Sequence, residues 1–176
     1  MADADTRTAL MDAAETAVRS NGVDGFSYAH LSEAVGIRKA SIHYHFPKKP
    51  DLFAAIMARY ATRVLTALDA LEGTDAERLT GYLDLYRAAL NGGGTVCLCV
   101  AYAMGQASLG SATQAEVAAF RARVLAWLGQ VVGADKAHEI MALAEGAQIA
   151  ARLEQDNAAY DAAVAPFRAR LLRGDI

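Results

Sequence analysis

No stretch of this chain alternates apolar and polar residues with the period of two that a half-buried strand requires. Nearly every periodic stretch repeats near 3.6 instead, which confines the fold to helices. A first helix is expected over residues 6–20, where Ala9, Leu10, Ala13, Ala14, Ala17 and Val18 form one apolar stripe. Asn21-Gly22 ends it, because both residues accept a left-handed cap. Ser27 caps a short second helix that runs to Val35, and Gly36 interrupts. A third covers 38–45 and stops at Phe46-Pro47, since proline cannot continue a helix. A long fourth helix is expected over 50–71, and a fifth runs from the capping box Thr74-Asp-Ala-Glu77 to about residue 90. After Asn91-Gly-Gly-Gly94 the pattern gives a sixth helix over 95–107, a seventh over 112–132 and an eighth over 136–154. A ninth covers 158–172, with Pro166 either kinking it or marking its true start. The expectation is an all-α protein of about nine helices, short ones before Pro50 and long ones after, hence two domains, 1–49 and 50–176.

Composition narrows the class. The chain has 176 residues, 54% of them hydrophobic and 21% charged, enough to bury a core and incompatible with a disordered or collagen-like chain. The longest apolar run, Val96–Met104, is nine residues. A bilayer span needs about 20, so no transmembrane helix is expected. The polar, acidic start lacks a secretory pattern, and two cysteines one residue apart are no disulfide framework. Both point to a cytoplasmic protein.

The net charge of −3 hides an asymmetry. Residues 1–50 carry six Lys/Arg against six Asp/Glu, whereas the remainder carries eleven against fourteen. Between Glu33 and Asp51 there is no acid, but there are Arg38, Lys39, Lys48, Lys49, His43 and His45. A basic window in an acidic chain is an electrostatic footprint for phosphate.

That window coincides with the most informative pattern. Two short helices joined through Gly36 match a helix-turn-helix, in which the second helix enters the major groove. Arg38, Lys39 and Ser41 lie in its first turn, within reach of base edges or phosphates. Ile42 and Phe46 would hold it to the core, and His43, Tyr44 and His45 distribute around it. Taken singly, each residue suits an ordinary structural role; the ordered set points to DNA.

From about residue 6 to 60 the sequence resembles the TetR family of one-component bacterial repressors. The residues that carry the resemblance are Gly22, Phe26-Ser27, Leu31-Ser-Glu-Ala-Val-Gly36-Ile37, Ala40-Ser41-Ile42, Tyr44-His45-Phe46-Pro47-Lys48-Lys49 and Leu52. It implies a homodimer on a double-stranded DNA operator. Ser27 and Tyr28 would lie near a phosphate, Lys39, Ala40 and Ser41 would face bases, and His45 and Lys49 would clamp the backbone. The family's usual tyrosine after the Leu/Ile of the recognition helix is replaced here by His43, with Tyr44 following. The phosphate contact expected there falls to one of these two.

The resemblance also implies a small-molecule pocket within helices four to seven and a dimer interface made by the last two. Pocket candidates are Tyr60, Tyr82, Tyr86, Cys97, Tyr102, Gln106, Phe120 and Trp127, although aromatics at helical spacing also serve as core. Ala142, Gly146 and Ala150 recur every four residues on the eighth helix and permit close helix approach; Ile149, Leu153 and Phe167 add apolar area to the candidate interface. Cys97-Leu-Cys99 is expected in the first turn of the sixth helix, where a thiol is activated, so a thiol-based electrophile or oxidant sensor is one alternative reading. Buried, inert cysteines are the plainer one. No catalytic, cofactor or metal-binding set stands out. The expected function is a transcriptional repressor released from DNA by an effector, not an enzyme. A rival of another class is a helical ligand-binding protein that does not bind DNA.

Overall fold

The computed structural model of the chain describes residues 3–92, 94–105 and 108–175. Among the described residues every regular element is helical. The order is α1 (Asp3–Asn21), α2 (Tyr28–Val35), α3 (Lys39–His45), α4 (Lys49–Asp69), α5 (Asp75–Ala88), α6 (Leu98–Ala103), α7 (Ser111–Val132), α8 (Ala134–Glu154) and α9 (Asn157–Arg173). Eight of the nine follow the sequence expectation to within a few residues.

The exception is α6, which covers only the middle of the expected 95–107. Its expected first turn is tied to partners elsewhere. Thr95 N–H donates to Leu90 O at 3.0 Å, and Thr95 Oγ1 donates to Ala89 O at 2.5 Å. Cys97 N–H donates to Gln148 Oε1 at 2.8 Å. These are donors that the start of a helix leaves free, and the helix itself begins at Leu98. Pro166 lies inside α9, which continues through it. The carbonyl it leaves unpaired belongs to Ala162, on an exposed face where water can solvate it.

The helices group into two compact units. Unit 1 comprises Met1–Ala61 and Leu98–Ala118. Its core is built from Leu10, Ala14 and Val18 of α1, Leu31 of α2, Ile42 of α3 and Leu52, Phe53 and Ile56 of α4, all buried. The segment 98–118 is tied into it. Tyr102 hydroxyl donates to Phe53 O at 2.9 Å, Thr113 Oγ1 to Pro50 O at 3.2 Å, and Ser108 Oγ to Asp24 Oδ1 at 2.6 Å. Gly105 packs so closely on Val23 that a Cβ there would lie 2.9 Å from the valine Cβ. The contact therefore requires a residue without a side chain.

Unit 2 comprises Thr62–Cys97 and Ala119–Ile176. The helix α5 packs on α8 and α9 through Leu79, Tyr82, Leu83 and Tyr86, facing Ala144, Tyr160 and Val164 among others. Its start is the expected capping box: Thr74 N–H donates to Glu77 Oε2 at 2.8 Å, and Glu77 N–H to Thr74 Oγ1 at 3.3 Å. The Thr74 N–H, and the Thr74 hydroxyl that also donates to Glu77 Oε2 at 2.8 Å, hold the Glu77 carboxyl below its usual range. Two ion pairs join α5 to α9. Arg87 grips Asp161 in a fork at 2.6 and 2.7 Å, and Arg168 meets Asp84 at 2.6 Å.

Candidate nucleic-acid interface

The turn between α2 and α3 is fixed by local hydrogen bonds. Gly36 adopts φ +71°, and its N–H returns to Ser32 O. Ile37 N–H donates to the same carbonyl at 3.1 Å, while Ser32 Oγ donates to Ile37 O at 2.6 Å. A Cβ on Gly36 would meet nothing within 4 Å, so the left-handed backbone, not crowding, calls for glycine here. Upstream, Ser27 caps α2 by accepting from His30 N–H at 3.2 Å.

This turn aims α3 with one face inward and one outward. Ile42 is fully buried, and Phe46 just beyond the helix is buried as well. On the other side Arg38, Lys39, Ala40, His43 and Tyr44 are exposed, Tyr44 to 75%. Ser27 and Ser41 are half-buried at the margins, and Lys48 and Lys49 are exposed at the start of α4. The exposed face thus carries three kinds of group that meet nucleic acid: cations for phosphate or guanine, a small apolar side chain for a thymine methyl, and an aromatic ring.

Two of the expected contacts sit differently. Tyr28 is buried, its ring edge-on to His43 at 5.0 Å, and its hydroxyl donates to Phe46 O at 2.9 Å. Burial first, and the Asp51 charge second, push this phenol up to about 12. Tyr28 therefore ties α2 to the end of α3. The His45 side chain is only 5% exposed, with Nε2 at 3.6 Å from Asp3 Oδ1 on α1. Lys49 keeps its exposure while Nζ donates to Phe26 O at 2.7 Å. Asp51, which accepts from Lys48 N–H at 3.2 Å, and Asp3 both belong to this neighbourhood and were not singled out from the sequence. The capping position of Asp51 beside Pro50 was a readable signal; the approach of Asp3 was not, because 42 residues separate it from His45.

The residues nominated for a ligand pocket are divided between the units. Tyr60 and Tyr102 belong to unit 1; Tyr82, Tyr86, Cys97, Phe120 and Trp127 belong to unit 2; Gln106 lies outside the described residues. All the described ones are buried. In unit 2 the Tyr82 ring stands 4.9 Å from that of Tyr86 and 6.1 Å from that of Trp127. Burial drives both tyrosine hydroxyls upward in pKa. Beside them Gln148, fully buried, bridges two backbones: its Oε1 accepts from Cys97 N–H, and its Nε2 donates to Tyr86 O at 2.6 Å. The two cysteines are buried, and Cys97 precedes α6 instead of lying in its first turn. Cys99 lies in the first turn of α6. No cluster of three metal-ligating side chains occurs among the described residues.

Of the interface candidates, Ala142, Gly146, Ile149 and Leu153 share an exposed face of α8, and Ala150 is half-buried. Leu153 is 80% exposed, and Leu172 on α9, not anticipated from sequence, is 90% exposed. Phe167 instead points into unit 2 and is buried. No helix among the described residues is long and apolar enough to cross a membrane.

Comparison with known proteins bears on the same segment. A family model described as bacterial regulatory proteins of the tetR family matches residues 10–56, the stretch that spans α2 and α3. No match was found among curated protein sequences. A transcriptional regulator of the TetR family from Agrobacterium tumefaciens superposes with a TM-score of 0.88 at 26% identity, covering 96% of this chain and 98% of that one. A TetR transcriptional regulator from Legionella pneumophila gives 0.84 at 24% identity, covering 94% and 95%. One from Chloroflexus aurantiacus gives 0.82 at 18%, covering 97% and 96%, a likeness of fold. With the helix-turn-helix geometry described above, these similarities support the TetR family of bacterial transcriptional regulators: its model matches residues 10–56, and the whole chain shares the fold of its solved members.

Proposed function

We propose that the chain is a transcriptional repressor that binds a near-palindromic DNA operator as a homodimer and is released by a small-molecule effector. In this reading residues 1–49 form the DNA-binding domain, and residues 50–176 bind the effector and dimerise. The observation that carries it is the two-sided α3: Ile42 anchored in the core, with Arg38, Lys39, Ala40, His43 and Tyr44 exposed in a window without acids. Two such helices related by a twofold axis meet successive major grooves about 34–36 Å apart. Support for the dimer comes from α8 and α9, where Ile149, Leu153 and Leu172 expose apolar surface that a second copy would cover. An effector acts only to the extent that it favours a state unable to hold the operator spacing.

The test is binding of the purified, reduced protein to DNA upstream of its own gene, titrated against salt with random DNA as competitor. The repressor reading expects competitor-resistant binding that weakens steeply with salt as phosphates are neutralised. Salt-insensitive binding, or none at all to any DNA, favours a ligand-binding protein that has lost DNA recognition.

A further inference from the structure

Three side chains expected to grip the DNA backbone are each engaged by an acceptor within the chain. Lys49 Nζ donates to Phe26 O at 2.7 Å. His43 Nδ1 lies 3.3 Å from Pro47 O. His45 Nε2 lies 3.6 Å from Asp3 Oδ1. The first two acceptors are neutral carbonyls, and both donors keep capacity to spare: an ammonium has three hydrogens, and the imidazole has a second nitrogen. His45 is different. Its side chain is only 5% exposed, and the group facing it is a carboxylate, itself 76% exposed. A carboxylate and a phosphodiester offer the imidazole Nε2 the same kind of partner, an anionic oxygen. One nitrogen cannot serve both.

We infer that Asp3 is a built-in competitor for DNA phosphate at His45: the free protein closes this clamp on its own carboxylate, and the operator backbone displaces it. The inference rests on the DNA-binding reading above and adds a regulation of that same surface. The displaced carboxylate has a cation one helical turn away, because Arg7 is the i+4 neighbour of Asp3 on α1. Arg7 is placed at this end of the unit by its stacking over the Phe46 ring, 5.1 Å from the centroid. The exchange therefore moves only the exposed Asp3 carboxylate and asks little of the fold. Its effect is to lower affinity for any DNA by a modest, constant factor and to withhold one phosphate contact until Asp3 moves.

The test compares Asp3→Asn with Asp5→Asn in salt-titrated binding to the DNA upstream of the chain's own gene and to random duplex. Both substitutions remove one negative charge from the first turn of α1, so Asp5→Asn reports general repulsion alone. The inference expects Asp3→Asn to bind both DNAs about two- to fivefold more tightly than wild type, the size of an exposed ion pair. It expects the salt slope to stay that of the wild type, because both complexes contact the same phosphates. Adding His45→Asn should abolish the gain. Where that variant does not fold, the difference in affinity between Asp3→Asn and Asp5→Asn decides on its own. Equal effects of Asp3→Asn and Asp5→Asn on affinity overturn the inference while leaving the repressor reading intact. Wild-type protein that binds neither DNA at low salt overturns both.

Discussion

The two units use their side chains in opposite ways. In unit 1 the candidate recognition face is what the core leaves outside: α3 buries Ile42 and presents Lys39, Ala40 and Tyr44 to solvent. In unit 2 the residues nominated for function lie inside, with Tyr82, Tyr86 and Trp127 packed ring against ring and Gln148 spending both ends of its amide on backbone. The difference teaches that one chain can separate recognition from stability in one unit and fuse them in the other. Outer residues of α3 can be exchanged with little cost to folding. Inner residues of unit 2 cannot be altered without disturbing the packing that defines them.

Substitutions sharpen this contrast, and the largest effects are expected in the interiors. Ile42→Ala should destabilise unit 1 by about 2–4 kcal/mol, because a fully buried side chain leaves a cavity. Tyr44→Ala, two residues on and exposed, should change stability by less than about 0.5 kcal/mol while weakening DNA binding. Denaturant melts of the two variants check the pair, and equal losses of stability would break the two-sided account of α3. In unit 2, Gln148→Leu takes the acceptor from the Cys97 N–H, while the Tyr86 carbonyl keeps the Ala89 N–H at 3.3 Å, and should cost about 1–3 kcal/mol. A melt unchanged from wild type would mean that this bridge does not hold the segment before α6.

Effects on recognition come next. Lys39→Ala should relax the base preference at one operator position by about 1–3 kcal/mol of discrimination. Lys49→Ala should weaken all DNA about equally and reduce the salt slope by about one. Binding arrays that show the same loss of preference in both variants would contradict the division between base reading and backbone clamping. The smallest effect concerns pH. The unfolded Tyr28 phenol ionises near 10.0, whereas in the fold it holds its proton to about 12. Between those values the unfolded state binds fewer protons, so stability falls as pH rises through this window. Tyr28→Phe should flatten that part of the alkaline stability profile, at the cost of the bond to Phe46 O at every pH.

Local chemistry was legible in the sequence, and long-range chemistry was not. The cap at Ser27, the break at Gly36 and the Thr74–Glu77 box are written within four residues of where they act, and each forms as read. The outward set on α3 was legible for the same reason, since helical spacing from Ile42 fixes which residues face away. What escaped depends on partners far along the chain. The sixth helix was read too long: Thr95 is tied back to Ala89 and Leu90, and Cys97 to Gln148, 51 residues beyond it. The resemblance placed Tyr28 near a phosphate, and nothing in its local sequence shows that its hydroxyl donates to the Phe46 carbonyl, 18 residues on. Phe167 was expected at a surface because periodicity alone does not say which apolar stripe of α9 faces its own unit.

The most direct test of the central claim is selection of binding sites from a random double-stranded DNA library by the wild-type protein, followed by sequencing. The account predicts enrichment of a near-palindrome with half-site centres one helical turn, or a multiple of it, apart. It also predicts that protein carrying Lys39→Ala enriches a site altered at a symmetric pair of positions. A pool that stays random, or one enriched for a site indifferent to Lys39, would contradict it.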